Sequence, residues 1–72
     1  MTSTSKPGTV PLGRLRAVRE RKMLSTGELA ERAGIAKTTV LDLEHGRTAA
    51  HLRTARKLAA ALEVDPAELI SA

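Results

Sequence analysis

A compact all-α domain of five short helices is the fold class that this sequence predicts, and three observations predict it. The 72 residues include no Phe, Tyr or Trp. Leu, Val, Ile, Met and a large complement of Ala must therefore build the core, which favours close-packed helices over sheet. Apolar residues recur three and four apart, with no strand-like alternation. Gly34, Gly46 and Pro66 punctuate the chain at the spacing of short helices with brief connections.

Each element has its own signal. Residues 1–10, "MTSTSKPGTV", are rich in Ser, Thr, Pro and Gly and read as a disordered arm, leaving 11–72 as the domain. Pro11 suits the first turn of helix one, with Thr9 or Val10 as its cap. Leu12, Leu15, Val18 and Arg19 then share one side, Arg14, Arg16, Arg21 and Lys22 fall mostly elsewhere, and the helix ends near Lys22. Ser25 followed by Glu28 is a capping box, so helix two begins near Thr26. It buries Leu29, Ala30 and Ala33, has a weak point at Gly27, and stops at Gly34, which takes the left-handed conformation readily.

Helix three runs from Lys37 to His45 and stops at Gly46 in the same way. Leu52, Ala55, Leu58, Ala59 and Leu62 make the apolar stripe of helix four, with Arg53, Arg56 and Lys57 beside it. Asp65, Pro66 and Glu68 supply a cap, a first-turn proline and a box-closing acid, so helix five is expected from Pro66 to Ile70.

Length and composition exclude several function classes. A chain this short is one domain near the lower limit of self-sufficient burial, without room for a cleft walled by a second domain. It has no Cys, which removes disulfides and thiolate metal sites and suits the cytoplasm. No run approaches the ~18 apolar residues of a membrane span. Two histidines without a carboxylate partner at ligand spacing argue against a metal site, and no cofactor is expected. Ser25, Asp42 and the histidines name the atoms of a nucleophilic triad but lack a pocket or oxyanion loop, so the protein is not expected to be an enzyme.

The net charge is +4, unevenly spread. Residues 14–57 carry eleven Lys or Arg against five acids, whereas residues 58–72 carry three acids and no base. A basic body suits a polyanion, with a solvated charged surface as the alternative. Without aromatic side chains for base stacking, double-stranded nucleic acid is a better candidate than single strands.

Helix two, a turn containing glycine, and helix three form a helix-turn-helix arrangement, whose second helix can enter a major groove. Val40 and Leu43 face the core, while Thr38, Leu41, Asp42 and His45 recur on another side, with Lys37 at the entry. The run "LSTGELAERAGIAKTTVLDLEHGRTAAHLRTARKLAAALEVDPAEL" resembles the phage-repressor and Cro type of helix-turn-helix domain, the xenobiotic-response-element family. Leu24, Ser25, Leu29, Ala30, Gly34, Ile35, Thr39, Val40, Leu43, Glu44 and Gly46 carry the likeness, which continues through Leu52, Leu58, Ala59, Leu62, Val64, Asp65 and Leu69.

The resemblance implies a lambda-repressor-like fold and an ion pair between Arg19 and Glu44 beneath the DNA-facing surface. It places Lys37, Thr38 and Asp42 where relatives touch base edges, with Leu41 between them. Ser25, Thr26 and Thr39 stand with the first amides of helix two where phosphate is held, and Arg47 where it meets the backbone or an adjacent minor groove. Thr26 replaces a bracing glutamine, Ala36 offers helix three no side-chain cap, and Glu63 stands where a glycine commonly ends helix four. Asp42 is repelled by phosphate unless it accepts from a cytosine amino group or pairs with Lys37 or a neighbouring Arg. Leu41 is open to three readings: a surface leucine, a thymine-methyl contact or a protein contact.

The function expected from these residues and this resemblance is a sequence-specific, double-stranded DNA-binding regulator, dimeric on a partly palindromic site. The alternative is a protein-interaction module or antitoxin component on the same fold, which Asp42 and Leu41 motivate.

Overall fold

The computed structural model describes residues 8–70, so the expected arm falls mostly outside the described residues. Among the described residues four α-helices carry the fold: α1 (Leu15–Arg21), α2 (Thr26–Ala33), α3 (Lys37–Glu44) and α4 (Leu52–Leu62). Fifteen buried apolar residues form one core, and among the largest of them Leu15, Leu29, Val40, Leu58 and Leu69 are fully enclosed. α2 packs against both α3 and α4, which makes it the hub of the domain.

Several expectations are corrected. Helix one does not start at Pro11 under a cap from Thr9 or Val10. Those two residues form β1 (Thr9–Val10), antiparallel to β2 (Ala50–His51), with Thr9 opposite His51 and Val10 opposite Ala50. Pro11 has no amide to continue the ladder and Gly13 disfavours helix, so the helix waits until Leu15. The chain therefore has a strand pair where none was expected, two residues long and too short to show alternation.

The expected fifth helix is only a 3-10 turn (Pro66–Glu68). Asp65 Oδ1 does accept the amide of Ala67 at 2.9 Å. Glu68 does not close the box, and its carboxylate receives Arg21 at 3.2 Å. Leu52 is likewise displaced from the expected stripe. It is 43% exposed at the first position of α4, where its amide donates to the Gly8 carbonyl at 2.9 Å.

All four helices end by one device. Met23, Gly34, Gly46 and Glu63 lie at positive φ of 61°, 72°, 71° and 59°. The next residue in each case donates its amide to a carbonyl five residues earlier: Leu24 to Arg19, Ile35 to Ala30, Arg47 to Asp42 and Val64 to Ala59. This is the Schellman bond, which satisfies carbonyls left open at a helix end. Leu24, Ile35 and Val64 all turn toward the core, whereas Arg47 is exposed.

Glu63 occupies a conformation that disfavours an L side chain. Glu63→Gly is therefore expected to stabilise the fold by about 1 kcal/mol in denaturant titration. Gly27 is the reverse case, a helical glycine whose added Cβ would meet nothing closer than Ser25 Oγ at 4.0 Å. Gly27→Ala is expected to add about 0.5–1 kcal/mol.

Candidate functional site

The candidate surface consists of the start of α2, the outer side of α3 and the residue just beyond it. α2 begins with the expected capping box: the Glu28 amide donates to Ser25 Oγ at 3.0 Å, and the Ser25 amide donates to Glu28 Oε1 at 2.8 Å. The backbone bond from Ser25 is the largest influence lowering the Glu28 pKa below the usual carboxylate range. The Ser25 hydroxyl contact follows, with a smaller pull from Arg32.

A carboxylate whose folded pKa is depressed stabilises the fold above its unfolded pKa and stops doing so as pH falls through the folded value. The box is thus expected to weaken in acid. Glu28→Gln, which keeps the same hydrogen-bonding geometry, should flatten that part of the pH dependence of the unfolding midpoint.

α3 starts without a side-chain cap at Ala36, anchors Val40 and Leu43 in the core, and ends at Glu44, one residue short of the expected His45. Lys37, Thr38 and His45 are exposed, and Leu41, Asp42 and Thr39 are partly so. Thr26 is partly exposed and Ser25 fully so at the start of α2. Among the described residues Lys37 makes no ion pair. Asp42 does: its Oδ1 receives Arg47 Nη1 at 3.2 Å, with the two side chains 45% and 66% exposed. Of the partners weighed for this acid, the structure thus brings it to Arg47 and not to Lys37.

Beneath this surface Arg19 and Glu44 join α1 to the end of α3. Arg19 Nε lies 2.6 Å from Glu44 Oε2 and Nη2 lies 3.1 Å from Oε1, a two-pronged contact. The side chains are 11% and 4% exposed. The hydrogen bond that Arg19 donates to Glu44 raises the Arg19 pKa above its ordinary value, against the opposing effect of burial. Sequence reasoning missed the third acceptor of this guanidinium. Nη1 donates to the Leu24 carbonyl at 2.8 Å, so the same side chain also fixes the turn into α2. A main-chain acceptor leaves no mark in a residue pattern.

The helix-turn-helix family of the Cro/C1 type matches this chain over residues 15–69. Among solved structures the chain is similar to the restriction-modification controller protein C.AhdI from Aeromonas hydrophila. The two are 37% identical, the match covers 85% of this chain and 94% of that one, and the TM-score is 0.78. No curated protein matches the chain.

Proposed function

Because this chain belongs to the Cro/C1-type helix-turn-helix family, we propose that it is a transcriptional regulator that reads double-stranded DNA by sequence, with α3 in the major groove. One observation carries the reading. α3 fixes one side in the core through Val40 and Leu43 and leaves Lys37, Thr38, Leu41, Asp42 and His45 on the other. The likeness to a controller protein supports a regulatory rather than a catalytic role.

In this reading Lys37, Thr38, Leu41 and Asp42 face base edges. Ser25, Thr26, Thr39 and the first-turn amides of α2 that the cap leaves free hold phosphate. Arg47 supplies a further contact. The Arg19–Glu44 pair keeps α3 at a fixed angle to α1.

The length of α3 argues for two copies. Eight residues span about 12 Å of helix, the rise of roughly three or four base pairs. A homodimer on inverted half-sites one helical turn apart doubles that reading length. Among the described residues no helix is long and apolar enough to cross a membrane, and the proposed site of action is the cytoplasm. The alternative of a protein-docking or antitoxin module drew on Asp42 and Leu41. Arg47 now accounts for the acid, so DNA reading is the better supported.

Selection of bound duplexes from a random pool, at two salt concentrations and with Lys37→Ala as control, tests the proposal. Enrichment of a short motif with inverted half-sites is expected, together with its loss or weakening in the variant. Retention without enrichment, vanishing at the higher salt, would leave only phosphate attraction and turn attention to a protein partner.

A further inference from the structure

The exit from α3 departs from those of α2 and α4. A Schellman turn commonly sets the residue after the left-handed position against the residue five before it in an apolar contact. Ile35 with Ala30 and Val64 with Ala59 fit that habit, and Leu24 is also buried inward. At α3 the same two places hold Arg47 and Asp42, a cation and an acid, on the exposed side of the helix.

Their backbones are already joined by the 2.9 Å bond from the Arg47 amide to the Asp42 carbonyl. The side-chain pair therefore forms without ordering any further chain. As a stability device it is poor, because ion pairs this exposed contribute little. As a recognition device its chemistry is specific. Arg47 has further N–H donors beyond the one engaged by Asp42, and Asp42 has a second oxygen. Donors beside an acceptor are the complement of a G·C edge in the major groove, where guanine O6 and N7 accept and the cytosine amino group donates.

We propose that Asp42 and Arg47 act as one specificity unit for a single G·C pair, an inference that rests on the DNA-reading function above. Arg47 donates to guanine. Asp42 holds the guanidinium on the outer side of α3, turns its second oxygen to the cytosine amino group, and keeps Arg47 from the phosphates. The acid that would otherwise oppose DNA binding thereby converts a backbone-seeking arginine into a base-reading one.

The test uses the duplex selected by the wild-type protein, a panel of its single base-pair substitutions and a scrambled duplex. Binding is measured at two salt concentrations for wild type, Asp42→Asn, Arg47→Ala and the double variant. Asp42→Asn and Arg47→Ala are expected to relax preference at the same G·C pair, each by about 10-fold or more. The double variant should be no less selective than Arg47→Ala alone. Asp42→Asn should also bind the scrambled duplex more tightly, with a salt slope steeper by about one as Arg47 is freed for phosphate.

An unchanged Tm would show that Asp42→Asn, which keeps the main-chain carbonyl, folds normally. Relaxation at two different base pairs, or additive losses in the double variant, would mean two independent contacts and overturn the unit. An Asp42→Asn protein with wild-type selectivity would reduce the pair to solvated surface. A wild-type protein without any sequence preference would instead bring down the DNA-reading proposal itself, before any variant is compared.

Discussion

Arg19→Ala is expected to remove roughly half of the folding stability of the protein. The Glu44 carboxylate, 4% exposed and held by two prongs of the guanidinium, would be left in the interior without its partner. Stranding a buried charge in this way costs about 3–5 kcal/mol. The whole fold of a chain this size is worth only about 4–11 kcal/mol. Loss of the Nη1 bond to Leu24 would loosen the turn into α2 as well.

Urea titration of Arg19→Ala beside the double variant Arg19→Met/Glu44→Leu separates the causes. Replacing both charges by apolar residues of similar volume should recover most of the loss, because no charge is then left unpaired. A loss below about 1 kcal/mol for the single variant would put the pair in the class of exposed ion pairs.

Leu29→Ala is expected to cost a similar amount by a different route. Leu29 is fully buried on α2, the helix packed against both α3 and α4. Truncation removes apolar burial and leaves a cavity in a domain with few residues available to refill it, at about 3–5 kcal/mol. Leu29→Met, which conserves volume, should cost less than about 1.5 kcal/mol. The folded fraction and DNA affinity should fall together for Leu29→Ala and be restored together on cooling toward the temperature of maximum stability. A variant that folds fully yet binds poorly would place Leu29 in the recognition geometry rather than in the core alone.

The parts of the fold legible in the sequence are those encoded within a few residues. The Ser25 and Glu28 box, the glycine stops at 34 and 46 and the buried faces of α2 and α3 are local patterns, and each stands where the spacing puts it. Met23 and Glu63 end their helices as the glycines do. Neither side chain advertises a left-handed conformation, so the stop at Glu63 was readable only through the family resemblance and the device at Met23 not at all. The β1–β2 pair is unreadable for another reason, since two-residue strands joined across forty positions carry no periodic signal.

At the site, Asp42 was legible as an acid in need of a partner. Its choice of Arg47 over Lys37 depends on the Schellman turn, which brings the residue beyond the helix back alongside its last turn. Arg19 and Glu44 lie 25 positions apart. Their pairing was expected only because the chain resembles a family, as no local rule links residues so distant.

The strand pair also has a kinetic meaning. Every helix stop is a local closure, complete within six residues, so the helices can form and collapse in microseconds. Joining Thr9 to His51 and Gly8 to Leu52 instead closes a loop of some forty residues for a handful of hydrogen bonds. Such a clasp is expected to form last and open first. In hydrogen exchange the Leu52 amide, held by Gly8, should lose protection well before the Leu29 amide at the hub. The protein would then sample a state in which residues 8–11 swing free while Leu12 and the helix-turn-helix stay packed.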